Sequence, residues 1–298
     1  MQISWKGVYP AVTTKFDEKG ELDISTFQHN LRAQIAAGVD GLIIGGSLGE
    51  SSTLTWDDRM ELLAAALETA AGRVPVVLNI AEGSTRNAVG LAQKAQAAGA
   101  HGLMLLPPML YKATDQETTD FFKAVASETD LPILVYNNPV DYKIEIKPDM
   151  FEALLRLDNI QAVKESTRDI SNVTRLRMRF GDRLRILCGV DTLALEELLM
   201  GADGWVAGLV CAFPAETVAV YRHAAAGDIE AAKTIYRWFL PLLELDIHPQ
   251  LVQNIKLAEA MTGLGTEFVR RPRQPLQGAE RERVLRVIEE GLRTRPAV

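Results

Sequence analysis

The chain has 298 residues, 47% apolar and 24% charged, a balance that supports a sizeable buried core in one large domain or two ordinary ones. Its formal charge of −7 and pI near 5.3 exclude the basic face that nucleic acids and anionic membranes require, so neither is an expected partner. Cys188, Cys211 and four scattered histidines give no ligand spacing, and the longest apolar runs are too short for a bilayer. No metal site is expected. The N-terminal stretch lacks the order of a signal peptide, and the cytoplasm is the expected compartment.

In chain order, strand-like apolar runs occur at 8–16, 41–46, 75–80, 102–108, 132–139, 160–166, 185–190 and 204–210. Segments of helical periodicity lie between them, for example at 57–71 and 85–98. Three joints resemble one another: AGVDGLIIGG (37–46), AGAHGLMLLP (98–107) and GADGWVAGLV (201–210). Each reads as a helix closing at the first glycine and dropping into an apolar strand after the second. Eight such strands alternating with helices predict an α/β fold, a (β/α)₈ TIM barrel over residues 1–228. Further helical patterns at 230–245, 251–261 and 280–293 predict a C-terminal helical extension over 229–298, packed on the barrel or on a neighbouring subunit. The late cluster Arg270–Arg271–Pro272–Arg273 reads as a solvated or subunit-contacting turn.

Within the sixth strand, NIQAVKES, Lys164 interrupts an apolar run. Strand alternation points Lys164 and Ala162 one way, and Val163 and Glu165 the other. Facing the barrel axis near its catalytic end, Lys164 loses hydration and its amine is driven toward the neutral, nucleophilic form. A lysine reaching solvent past the strand end is the alternative, and the pattern alone leaves it open. On the fifth strand, PILVYNNP puts Tyr136 at the level of Lys164, where a hydroxyl can move protons for an imine; a core aromatic is the other reading. GGSLGESS (45–52) offers Gly46 and the Ser47–Leu48 backbone as a nest for a carboxylate, with the Ser47 hydroxyl beside it.

Gly-Ser-x-Gly-Glu, Tyr-Asn-x-Pro and Lys-Glu-Ser, in that order and spacing, resemble the dihydrodipicolinate synthase/N-acetylneuraminate lyase family, and the likeness continues through GVDTLALE and GADGWVAGLV. The resemblance implies imine chemistry on a 2-oxo acid, no cofactor beyond the covalent Schiff base, and a homotetramer built as a dimer of dimers. It implies Lys164 as the Schiff-base residue, Tyr136 as the proton-transfer residue, Ser47 and the Ser47–Leu48 backbone as the carboxylate holder, and Gly189 and Val206 as pocket lining. Departures from the synthase pattern are Leu48 in place of its second threonine, Leu110 at the position of its partner-subunit tyrosine with Tyr111 one place later, and Asp141 in place of its carboxylate-gripping arginine. The lyase-type continuation after Tyr-Asn-x-Pro is also absent.

The stretches WVAGLVCAFPAETVAVYRHA and VRRPRQPLQGAER resemble the branch of that family acting in bacterial hydroxyproline breakdown. The expected function is therefore a deaminase converting the cyclic imine Δ1-pyrroline-4-hydroxy-2-carboxylate to 2,5-dioxopentanoate and ammonia. Lys164 is expected to capture C2, and the Tyr136 phenolate or an ordered water to take the C3 proton; Asp141 and Tyr142 would lie near the substrate amine. The alternatives are an aldolase or dehydratase for a 4-hydroxy-2-oxo acid or 2-keto-3-deoxy sugar acid, a dihydrodipicolinate synthase-like activity, and a non-enzymatic 2-oxo acid sensor. A phosphate-sugar barrel enzyme ranks last, since no basic glycine-rich loop follows the seventh or eighth strand.

Overall fold

The computed structural model describes residues 2–298. Its first half runs β1 (Gly7–Pro10), α1 (Ile24–Ala37), β2 (Leu42–Ile44), α2 (Trp56–Ala70), β3 (Val76–Ile80), α3 (Thr85–Ala97), β4 (Gly102–Leu105) and α4 (Asp115–Ala126). The second half runs β5 (Ile133–Asn137), α5 (Pro139–Tyr142), α6 (Pro148–Leu154), β6 (Ile160–Glu165), α7 (Ser171–Phe180), β7 (Arg185–Cys188), α8 (Ala194–Leu199) and β8 (Gly204–Ala207). Helices α9 (Pro214–Ala225), α10 (Ile229–Leu243), α11 (Leu251–Met261) and α12 (Gly278–Arg293) complete the chain.

All strands pair in parallel in the order β1-β8-β7-β6-β5-β4-β3-β2, and a parallel bridge from Ala11 to Ile43 joins the two ends. This is the (β/α)₈ barrel, with helices between strands. Nearly every strand residue is buried, because side chains on one face fill the barrel and those on the other meet the helices.

The repeated Gly-x-x-Gly joints divide their labour. Gly38, Gly99 and Gly201 take left-handed φ values of 89°, 87° and 100°, closing α1, α3 and α8. The second glycine admits a neighbour: a Cβ on Gly41 would lie 2.2 Å from the Tyr9 ring, and one on Gly204 would lie 2.5 Å from the Gly7 carbonyl oxygen. The residue before it caps a neighbouring strand, since Asp40 accepts from Val8 N (2.8 Å), His101 from Val76 N (3.0 Å) and Asp203 from Ile186 N (2.9 Å). Side chains at the bottom of the barrel thus satisfy strand N–H groups that would otherwise be unpaired.

The structure shortens some expected elements. The first apolar run, 8–16, is not one strand: β1 ends at Pro10, Ala11 bridges to Ile43, and the chain then turns to bury Lys15. The eighth run, 204–210, is also cut short: β8 ends at Ala207, and a 3₁₀ turn follows at Leu209–Cys211. The Arg270 end of the arginine cluster is not a solvated turn: Arg270 pairs with Asp58 at 2.8 Å, donates to the Gly20 and Thr53 carbonyls and covers the Phe16 ring. Helix α12 packs against α10 and α11, and α10 and α11 also pack against the barrel layer.

Candidate active site

Parallel pairing of β5 with β6 sets Tyr136 directly beside Lys164 at the catalytic ends of the strands. Lys164 is 8% exposed, its Nζ lies 4.2 Å from the centre of the Tyr136 ring, and it makes no hydrogen bond or ion pair with any described residue. Burial lowers its pKa; Asp246, Tyr142 and Asp191 pull the other way. Glu165, one residue on, points away from the axis, where Asn137 and Asn172 donate to its carboxylate. Gly189, after β7, makes room for the lysine stem: a Cβ there would lie 2.1 Å from Ser166 Oγ and 2.7 Å from Lys164 Cγ.

Tyr136 is held by Asn138, whose Nδ2 donates to the phenol oxygen (3.2 Å) and to Asp141 Oδ2 (2.8 Å). Burial pushes the Tyr136 phenol up to about 12, against the weaker opposing pull of the Asn138 hydrogen bond. The resting group is therefore a phenol. The expected base is the Tyr136 phenolate or an ordered water; desolvation favours the protonated oxygen in the resting site. Tyr142, on α5, meets the Tyr136 ring edge-on (5.6 Å between centroids), and its hydroxyl is hydrogen-bonded to Ser47 Oγ. Burial raises the Tyr142 phenol as well.

The loop after β2 closes the opposite wall. Gly45 (φ 66°) and Glu50 (φ 59°) bend it sharply, and a Cβ on Gly49 would press the Val12 carbonyl at 2.8 Å. The backbone N–H groups of Ser47 and Leu48 donate to no group among the described residues, which leaves them free for an anion. Gly46, Ser47, Leu48, Tyr136, Asp141, Tyr142, Lys164, Gly189 and Val206 all line one cavity. Tyr111 does not; it is 52% exposed on the loop after β4, beside Leu110 at 81%.

The lining residues with polar side chains that escaped the sequence reading are Asn138, Ser166, Arg168 and Asp246. Ser166 Oγ is buried without a hydrogen-bond partner, and Arg168 stands at the mouth with φ 63°. Asn138 and Ser166 sit inside the quoted motifs and were legible from them; Asp246 comes from the 3₁₀ turn Glu244–Ile247 that follows α10, far along the chain. Among the described residues no group of three or more His, Cys, Asp or Glu is placed to hold a metal ion, and no helix is long and apolar enough to cross a membrane.

A buried lysine without a counter-ion among the described residues, a phenol on the adjacent strand and two backbone N–H groups therefore line one cavity. Residues 4–291 match the family model described as the dihydrodipicolinate synthetase family. The chain belongs to that family. Similar curated proteins include the 4-hydroxy-tetrahydrodipicolinate synthases of Exiguobacterium sibiricum (33% identical, covering 91% of this chain and 92% of that protein) and Nitrosospira multiformis (34%, covering 92% and 91%). Among solved structures, the 4-hydroxy-tetrahydrodipicolinate synthase of Methylacidiphilum fumariolicum SolV superposes with a TM-score of 0.92 at 29% identity, covering 97% of this chain and 96% of that one. The chloride-inhibited dihydrodipicolinate synthase of Acinetobacter baumannii, complexed with pyruvate, gives 0.93 at 25% identity, covering 97% and 99%. Members of this family work through a lysine Schiff base, without a metal cofactor.

Proposed function

We propose that the protein is an imine-forming 2-oxo acid lyase of the synthase type, with Lys164 as nucleophile. The observation that carries this reading is the unpaired, buried Lys164 amine facing the same cavity as the free Ser47 and Leu48 N–H groups. A 2-oxo acid carboxylate bound by those groups presents C2 to the amine. Attack and loss of water give an iminium, which acidifies C3. The Tyr136 hydroxyl relays protons between the nitrogen, the departing oxygen and C3. The resulting enamine adds through C3 to the carbonyl carbon of a second substrate, as the names of the relatives suggest.

A second reading, the deaminase of Δ1-pyrroline-4-hydroxy-2-carboxylate, draws on the two carboxylates lining the cavity, Asp141 and Asp246. They suit a cationic amine better than a second carboxylate. In that reaction the enamine expels the C4 hydroxyl and the C5 imine hydrolyses, releasing ammonia. Borohydride treatment with pyruvate should yield a covalent adduct on Lys164, absent from Lys164→Ala; an unmodified lysine would defeat both readings. Pyruvate consumed in the presence of a short aldehyde carrying a carboxylate supports the synthase, and ammonia released from the pyrroline supports the deaminase.

A homotetramer, as a dimer of dimers, belongs to the same proposal. The exposed Leu110 and Tyr111 would lie at a subunit contact, and light scattering of the whole chain tests it.

A further inference from the structure

The 3₁₀ turn after α10 carries Asp246 over the catalytic end of the barrel, where its carboxyl lines the same cavity as Lys164 and Tyr136. The barrel is cut to receive it. A Cβ on Gly208, just past β8, would lie 2.3 Å from Asp246 Oδ1 and 2.9 Å from its Cγ, so only glycine leaves space for the carboxyl. No described group donates a hydrogen bond to that carboxyl, and it forms no ion pair, which sets it apart from Asp191 below it: Trp205 Nε1 and the Gly208 and Leu209 N–H groups all donate to Asp191. Asp191 is a structural tie between the loops after β7 and β8. Asp246 has no such employment.

We propose that Asp246 is a further catalytic residue, the acid that supplies the proton for imine formation at Lys164 and then stands as the counter-ion of the iminium. This rests on the Schiff-base reading of Lys164. The step balances as follows: the Lys164 amine adds to the C2 carbonyl, one amine hydrogen and the Asp246 proton leave with the carbonyl oxygen as water, and a carboxylate faces a protonated imine. Net charge in the cavity is unchanged throughout, which matters where few solvent molecules can screen it.

The charged and titratable groups around Asp246 are Lys164 and Arg168 from β6 and its following loop, Asp191 after β7, Asp141 after β5 and Tyr136 on β5. Burial, then the charge of Asp191, raises the Asp246 carboxyl well above the usual range, while Lys164 and Arg168 lower it. The Asp246–Lys164 pair accordingly titrates as a unit, and its one-proton form is the reactive one.

The test is the pH profile of imine formation in the full-length protein, with pyruvate as probe, rapid quenching into borohydride and adduct counted by intact mass. The wild-type rate should rise and then fall with pH. Asp246→Asn should form the Lys164 adduct at least tenfold more slowly at the wild-type optimum and lose the alkaline fall, and Asp246→Glu should restore a falling limb. If the amide unsettles the turn, Asp246→Ser makes the same test. A wild-type rate and profile in a folded Asp246→Asn or Asp246→Ser protein would overturn the role of Asp246 alone. Absence of any adduct in the wild type would overturn the Lys164 reading with it.

Discussion

Two regions of this molecule bury lysines, and they do so in opposite ways. Behind the loop that carries Ser47, Lys15 Nζ meets Glu259 Oε1 at 2.9 Å, and Lys256 Nζ meets Glu50 Oε1 at 2.5 Å and the Phe268 carbonyl at 2.6 Å. Thr13 Oγ1 adds a 2.7 Å bond to Glu259, and Arg270 N a 3.0 Å bond to Glu50. At the barrel mouth Lys164 is nearly as deeply buried and has no such partner. Desolvation acts on all of them; the difference is what answers it. A carboxylate in contact makes a buried ammonium a clasp, here tying α11 to the loops after β1 and β2. Without contact, the same burial favours the neutral amine, the form that the proposed mechanism needs.

The sharpest way to break this contrast is to remove each lysine. Lys164→Ala should lower turnover by on the order of 10⁴-fold or more, read in steady-state assays with whichever substrate the pyruvate and pyrroline assays identify. In the other region, Glu50→Gln leaves Lys256 buried without its counter-ion and should cost about 3–5 kcal/mol in denaturant melts, with Glu50→Gln/Lys256→Met recovering part of the loss. Equal destabilisation by Lys164→Met would erase the distinction. That variant should instead melt no lower than wild type, since it removes an unpaired buried amine.

Tyr136→Phe keeps the ring against Lys164 and removes the hydroxyl proposed to carry protons. It should lower kcat by about 10²–10⁴-fold with a smaller change in KM. A weaker signature lies in stability against pH. The folded pKa of Lys164 lies below its unfolded value of about 10.5, so between the two the unfolded chain holds more protons, and stability gains from this group as pH rises through that window. Urea melts across the alkaline range should show that gain in wild type and less of it in Lys164→Met. The smallest expected effect is Asp141→Ala: a few-fold rise in KM if the carboxylate meets a substrate amine, and no change if its part is confined to the Asn138 hydrogen bond.

Much of the architecture was legible locally. Lys164 and Tyr136 could be set side by side because parallel strands of similar length end at the same level and side chains alternate along them. The helix-to-strand joints were legible because a left-handed cap and a close approach both demand glycine. Lys15 shows the limit: it too follows an apolar run, and nothing in VYPAVTTKF reveals that Glu259, from a helix more than two hundred residues later, will neutralise it. Asp246, in LLELDIHP, reads as an ordinary acidic residue at a helix end until α10 folds back over the barrel.

Periodicity, turn chemistry and the three motifs by themselves determined the barrel, its strand order and the lysine–tyrosine pair, since these depend on contacts between neighbours in the chain or in adjacent strands. The tertiary structure alone decided which buried lysine stays unpaired, which tyrosine binds Ser47 and which carboxyl overlooks the cavity. Those outcomes depend on side chains brought together from distant segments, where an ångström or two separates an ion pair from a free amine.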